Sequence, residues 1–439
     1  MFFRILIFSS LIATTLSAAP TSRPLQDSAS LEPLEKASLV QNTYAAKPKT
    51  VDTDAIVQSA NAFGIELMKP LLYFKSNAIF SPFSVFSCLS MVASGAEGKT
   101  KELMEKVLHW PYDRNKVAKA VGALNKQIFV SSSGEKCSLI LNNANALFAE
   151  ADTDFLPPFS HLIEEDYQAD LQSIDFSQSV SATELINTWV SETTNNKIKK
   201  LIELGDIDAA TRLVLINAIY FSGQWQNPFN KKETTKKPFK IDEKTQVNVQ
   251  MMHQTAFFNY FEDPSAQIVI LPFKVCEAKN VRPSLMIVLP TPSTNLASWQ
   301  KKLFQETFQN WLKQSVRSRV DLQVPSFCLL KRYDLQSALT TMGMSEAFTQ
   351  QADFSSIDGM KDLFLSKAIH ESYFNFNEAG VEATAATAAA LNMTAVGPSE
   401  NPIITFNANR PFLFFLIDET TGTLLFMGKF SDPSLTGCE

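Results

Sequence analysis

The sequence predicts an α+β chain organised as one large domain over residues 51–439. Dense apolar periodicity begins at Val51 and runs on without a second linker or an internal repeat. Helix-period and strand-period segments follow one another in mixed order, without the regular alternation of a doubly wound sheet. The strand-like segments are short, mostly apolar and bounded by turn residues, as expected of strands buried on both faces.

Residues 1–19 have the form of an export signal, which implies a secreted protein. Arg4 opens the segment, Ile5–Leu16 is apolar, and Ser17-Ala18-Ala19 is a small-residue exit. Residues 20–50, rich in Pro, Ser, Thr, Lys and Ala, read as a flexible leader. Ser81 offers a helix cap and Pro82 a first helical residue, with Val85, Leu89, Val92 and Ala93 following at helical spacing. Ser181-Ala-Thr-Glu184 reads as a capping box ahead of Leu185, Ile186, Trp189 and Val190. Leu213–Phe221, Leu285–Leu289, Phe412–Ile417 and Leu424–Phe430 are the predicted strands. Asn217 interrupts the first of them, and His370 lies between Ile369 and a strand-like Tyr373–Phe376. A buried polar group left unpaired costs about 1–3 kcal/mol, so each needs a partner.

Of 439 residues, 45% are hydrophobic, including 34 Phe, which is enough for a large core. The net charge of −6 speaks against a nucleic-acid or anionic-membrane partner, and no apolar run is long enough to span a membrane. Lys231, Lys232, Lys236, Lys237 and the Lys197–Lys200 group read as solvated faces, with a polyanion cofactor site the lesser reading. Cys88, Cys137, Cys276, Cys328 and Cys438 are scattered, and their odd number leaves at least one unpaired. Cys88 sits in an apolar helical pattern and is expected to pack rather than bond.

No enzyme motif emerges. The four histidines, His109, His161, His253 and His370, belong to no HExxH, and neither a GxSxG elbow nor a phosphate loop is present. Ser133-Gly-Glu-Lys136 and Ser298-Trp-Gln-Lys301 match Ser-x-x-Lys as short patterns arising by chance. Neither a metal nor a cofactor is expected.

The most unusual stretch is Glu378-Ala-Gly-Val-Glu-Ala-Thr-Ala-Ala-Thr-Ala-Ala-Ala390. As a helix, Val381–Ala390 has nothing bulky to anchor it to a core. As a strand, Val381, Ala383, Ala385, Thr387 and Ala389 share one face, and Glu382, Thr384 and Ala386 share the other. Side chains this small can enter between two existing strands without overpacking.

Glu378–Ala390 resembles the hinge of the reactive-centre loop of inhibitory serpins, a family of serine protease inhibitors. Asn77–Glu102, Leu185–Ile202, Asn217–Phe229, Asp353–His370 and Asn407–Gly428 resemble other segments of that family in the right order, so the resemblance spans residues 51–439. It implies the serpin fold, with three β-sheets, about nine α-helices and an exposed reactive-centre loop over about 378–405. It further implies a shutter of Ser81, Ser84, Asn217 and His370, a breach tryptophan at Trp225, and a hinge containing Glu378, Gly380, Val381, Glu382, Ala383, Ala385 and Thr387.

The implied activity is suicide-substrate inhibition by a monomer. A protease attacks the scissile carbonyl, and the freed loop enters the main sheet with the covalently bound protease in tow. About fourteen residues at roughly 3.3 Å each give a translocation of about 45 Å. Fourteen residues from Gly380, the scissile bond falls at Thr394–Ala395, with Met393 and Leu391 as fallback positions. No Lys or Arg occurs from Glu378 to Asn409, which disfavours trypsin-like targets and suits elastase-, chymotrypsin- or subtilisin-like ones. Asn392-Met-Thr394 is also a glycosylation sequon.

The sequence departs from the family pattern at three points. Val381 stands where Thr or Ser is usual, Ala379 stands where many relatives carry a charge, and Ser326 stands where a lysine would pair with Glu378. A non-inhibitory serpin acting as carrier, storage protein or chaperone is the alternative. Such members carry charged, proline-bearing or bulky hinges, whereas Ala383–Ala390 has none of these.

Overall fold

A computed structural model describes residues 51–71, 77–129, 139–275, 281–292, 305–381 and 402–437. These belong to one compact unit, Ala46–Glu439. The expected signal (1–19), the leader (20–50), residues 382–401 of the expected loop, both Ser-x-x-Lys patterns and Cys137, Cys276 and Cys438 lie outside the described residues.

Among the described residues there are nine α-helices: α1 (Val51–Leu71), α2 (Pro82–Ala93), α3 (Gly98–Val107), α4 (Arg114–Ile128), α5 (Pro157–His161), α6 (Ser179–Thr193), α7 (Gln305–Gln314), α8 (Gln336–Leu339) and α9 (Ser355–Asp358). The main sheet has six strands: β2 (Leu139–Glu150), β3 (Asp170–Ile174), β4 (Leu213–Gln224), β10 (Phe327–Asp334), β11 (Leu365–Phe376) and β12 (Gly380–Val381). Its order is β10-β11-β12-β4-β2-β3, with β11 also paired directly to β4.

The remaining strands are β1 (Ala78–Phe80), β5 (Thr235–Lys240), β6 (Gln246–Asp263), β7 (Ala266–Pro272), β8 (Pro283–Pro290), β9 (Val316–Pro325), β13 (Ile404–Asn407), β14 (Phe412–Asp418) and β15 (Thr423–Phe430). They run in the order β1-β15-β14-β8-β7-β6-β9-β13, with β5 on β6. Two of the three expected sheets are thus continuous. The 18-residue β6 pairs with β5 along its first part, with β9 through its middle and with β7 at its end, carrying one hydrogen-bonded ladder into the next.

The predicted strands appear at β4, β8, β14 and β15, and β14 and β15 are buried at every position. Ser81 caps α2, its Oγ accepting from the Ser84 amide at 3.3 Å, while Pro82 takes the first helical position. The reading of Ser181–Glu184 as a helix start is corrected. The Asp175 carboxylate accepts from the Ser177 amide at 2.9 Å, the turn closes there, and α6 begins at Ser179. The four residues therefore lie inside the helix. Leu185 faces solvent, while Ile186 and Val190 go inward.

The main sheet is covered on both faces. On one side it meets the large core with α1, α2 and α4. On the other, Ile186 and Val190 of α6, with Ile198, Leu201, Ile202 and Ile207 of the following segment, pack on Ala144, Ala146, Phe148, Val214, Ile216, Ala218 and Ile369. Cys88 is buried and free, as its pattern predicted, and burial pushes its thiol pKa well up. Cys328 is disulfide-bonded.

Candidate functional site

The parallel seam between β4 and β11 is the centre of the site. Leu365–Tyr373 of β11 aligns with Leu213–Tyr220 of β4, His370 opposite Asn217. At its upper end the seam parts, and β12 sits between its walls. Val381 pairs with Phe376 on one side and Gly223 on the other, and Gly380 pairs with Gln224.

The four residues expected to form a shutter, Ser81, Ser84, Asn217 and His370, come together beneath the seam. His370 is fully buried. Its Nδ1 lies 2.5 Å from Asn217 Oδ1, while its Nε2 receives the Ser81 amide at 3.1 Å and the Ser372 hydroxyl at 2.8 Å. Since an amide N–H can only donate, Nε2 is the acceptor and Nδ1 carries the proton. Burial lowers the imidazole pKa to about 3, so the ring is neutral at physiological pH and this tautomer is retained. Asn217 Nδ2 donates to Ser84 Oγ and Asn145 Oδ1, both at 2.5 Å, and to Asn143 Oδ1 at 3.2 Å. Ser84 Oγ donates to Asn143 Oδ1 at 2.6 Å. The network therefore ties α2, β2, β4 and β11 together across the closed seam.

Asn143, Asn145 and Ser372 were missed from the sequence. The available signal was Asn-x-Asn within the apolar stretch Leu139–Glu150, where alternation puts both amides on one face.

We expect Asn217→Ala and His370→Ala each to lower the melting temperature and to favour polymers or a spontaneously inserted form. Because they share one contact, the double variant should be little worse than either single one. Thermal melts and native gels read this, and additive losses would contradict a shared contact.

Above the shutter, the hinge base is clasped by Trp225, which is 2% exposed. Its Nε1 donates to the Asn377 carbonyl at 2.9 Å and its amide to the Ala379 carbonyl at 3.0 Å. The ring stacks on Phe273 at 4.1 Å and meets Phe376 edge-on at 5.4 Å. The Phe229 amide donates to the Glu378 carbonyl at 2.8 Å. Gly380 has φ of 155°, and a Cβ there would lie 1.9 Å from the Gly223 carbonyl oxygen, so the close approach requires glycine.

Val381 is fully buried, so the aliphatic group that replaces the usual hydroxyl is already seated in the sheet. Glu378 takes the Thr234 hydroxyl at 2.8 Å. Ser326 instead donates its amide to the Gln250 carbonyl at 2.9 Å, consistent with the missing lysine. Among the hinge and loop residues singled out from the sequence, Glu382, Ala383, Ala385, Thr387, Leu391, Met393, Thr394 and Ala395 lie outside the described residues.

Comparison with known proteins gives a consistent result. The family model for Serpin (serine protease inhibitor) matches residues 58–433. The leukocyte elastase inhibitor of Xenopus laevis is 37% identical over 365 residues, covering 81% of this chain and 93% of that protein. Human Serpin B11 is 37% identical over 378 residues, with the same coverages. Among solved structures, Serpin48 of the insect Tenebrio molitor superposes with a TM-score of 0.76 at 30% identity, covering 88% of this chain and all of that one. Human thyroxine-binding globulin, solved in complex with thyroxine, superposes with a TM-score of 0.77 at 26% identity, covering 87% and 99%.

Proposed function

Because this chain belongs to the serpin family of serine protease inhibitors, we propose that it is a secreted, monomeric suicide-substrate inhibitor of a serine or cysteine endopeptidase with elastase-, chymotrypsin- or subtilisin-like specificity. The protease forms an acyl-enzyme on the loop, and the loop carries it down the seam between β4 and β11.

The observation that carries this reading is the register of β12. Continued downward one residue at a time, the pairings of Val381 with Phe376 and with Gly223 both bring Thr387 level with His370 and Asn217. Those two residues already face each other across the closed seam, so the two registers agree. On that register Val381, Ala383, Ala385, Thr387 and Ala389 face the core and Thr387 arrives at the shutter. Small residues are required there, because the core beneath is already close-packed.

The same register brings Leu391 level with Leu213, the first residue of β4 and the last that the descending strand meets. A bond at Thr394–Ala395 leaves Asn392, Met393 and Thr394 to lead from the ladder to the tethered protease, whereas a bond after Leu391 leaves no such lead. This supports Thr394–Ala395 over Met393 or Leu391. Thr394 suits a shallow pocket of the elastase type, in keeping with the name of the Xenopus relative. Secretion is supported by the export-signal pattern of residues 1–19 and agrees with the disulfide at Cys328.

Incubation with elastase tests the reading. We expect an SDS-stable complex and a released C-terminal peptide beginning at Ala395. Turnover of the chain without a complex would favour the non-inhibitory alternative, and efficient trapping of trypsin would overturn the specificity.

A further inference from the structure

On the outer face of the main sheet, Arg332 of β10 stands directly opposite Glu371 of β11. Cross-strand neighbours share a face, yet the two do not pair. Arg332 Nε donates instead to the Leu201 carbonyl at 2.5 Å, and its Nη2 to the Asp206 carboxylate at 2.5 Å. Both acceptors lie on the segment that crosses the sheet between α6 and β4. Glu371 is only 5% exposed, and its Oε2 is buried without a hydrogen-bond partner among the described residues. An acid in this position is costly unless something compensates it.

The layout of the strands supplies the compensation. Resting on the insertion reading above, a new strand between β4 and β11 drives them about 4.8 Å further apart. Leu201 and Asp206 are continuous with β4 through residues 207–212. Arg332 and Glu371 ride together on the paired β10 and β11, on the other side of the opening. The bonds of Arg332 to Leu201 and Asp206 therefore cross the gap that must widen, whereas its neighbour Glu371 moves with it. The inserting residue level with Glu371 on the β12 register is Ala386, which brings no polar partner.

We propose that Arg332 is a positioning residue for loop insertion that changes hands: it latches the crossing segment to the closed sheet through Leu201 and Asp206, and passes to Glu371 as the sheet opens. The latch holds the closed state, and the hand-over stabilises the opening state by pairing an acid that the closed sheet leaves unpaired.

The titration of Glu371 fits this exchange. In the closed sheet burial raises its carboxyl pKa to about 7, against the lowering pull of Arg332. Of the charged groups around it, Arg332 stands on β10 and Asp206, held by Arg332, on the crossing segment. Lys197 lies over the Tyr220 ring, and Lys367 binds Asp334 at 2.8 Å. β4 presents Ala218 opposite Glu371. His370, next in the chain, projects to the other face and stays neutral. Opening, with Arg332 handed over, lowers the Glu371 pKa and releases a proton. Opening is therefore favoured as pH rises toward about 7, and the gain levels off above it.

The test is the ratio of trapped to merely cleaved inhibitor with one elastase-like protease. This ratio does not depend on how fast the acyl-enzyme forms. Glu371→Gln should lower it about threefold to tenfold at pH 8, the effect of losing one charge-assisted hydrogen bond from the insertion step. Asp206→Asn should raise it or leave it at its ceiling, while increasing spontaneous insertion on warming. The protease's own deacylation also titrates, so the comparison is wild type over Glu371→Gln at each pH: that quotient should fall toward one as pH drops below about 7. In an Arg332→Gln background Glu371→Gln should have no further effect. An equal effect of Glu371→Gln in both backgrounds, or a quotient of wild type over Glu371→Gln that does not change with pH, would overturn the hand-over. If the wild-type chain itself forms no trapped complex, the insertion reading fails instead, so the two failures are distinguishable.

Discussion

Nicking the loop between Thr394 and Ala395 is expected to raise the melting temperature by about ten degrees or more, with no other change in composition. In the closed state the seam joins β4 and β11 by a parallel ladder from Leu365 to Tyr373. After insertion, residues from Val381 to Leu391 pair on both sides, in antiparallel ladders that are slightly more stable per residue. At about 1 kcal/mol net for each added hydrogen bond, the gain is on the order of 10 kcal/mol once the lost seam is subtracted. Unfolding entropy of about 2.1 cal/mol/K per residue converts that, for a domain of this size, to roughly a dozen degrees. Calorimetry before and after limited proteolysis reads the shift. An unchanged transition would mean that the loop does not enter the sheet.

Much of the site was legible in the sequence because its residues violate their surroundings. Asn217 and His370 are polar in apolar strands, and the cost of burying them unpaired already demanded partners. Ser81 and Pro82 announced a helix start whose capping hydroxyl belongs to the same network. The hinge was suggested by a run of side chains, Ala383–Ala390, too small to build a helix packed on a core; that run lies outside the described residues. What the sequence hid is spatial. Asn143 and Asn145 reach Asn217 from β2, seventy-odd residues away in the chain. Arg332 meets Leu201 and Asp206 only because the segment after α6 crosses over β10 and β11. The pattern at Ser181–Glu184 misled because a turn at Asp175 starts α6 earlier. Glu378 found Thr234 in place of a lysine, a contact made by a chain excursion that no local pattern marks.

On the proposed mechanism inhibition requires the seam between β4 and β11 to part, so a reversible lock on that seam should abolish it. Tyr220 and Tyr373 face each other across it, with ring centroids 6.2 Å apart. Neighbouring strands are about 4.8 Å apart, which falls within the Cα separation a disulfide spans. In a Tyr220→Cys, Tyr373→Cys variant, the oxidised form should be cleaved by an elastase-like protease as an ordinary substrate, with no SDS-stable complex. Reduction of the same sample should restore trapping, so loss of folding cannot be mistaken for the lock. Equal trapping by the oxidised and reduced forms would contradict insertion through this seam.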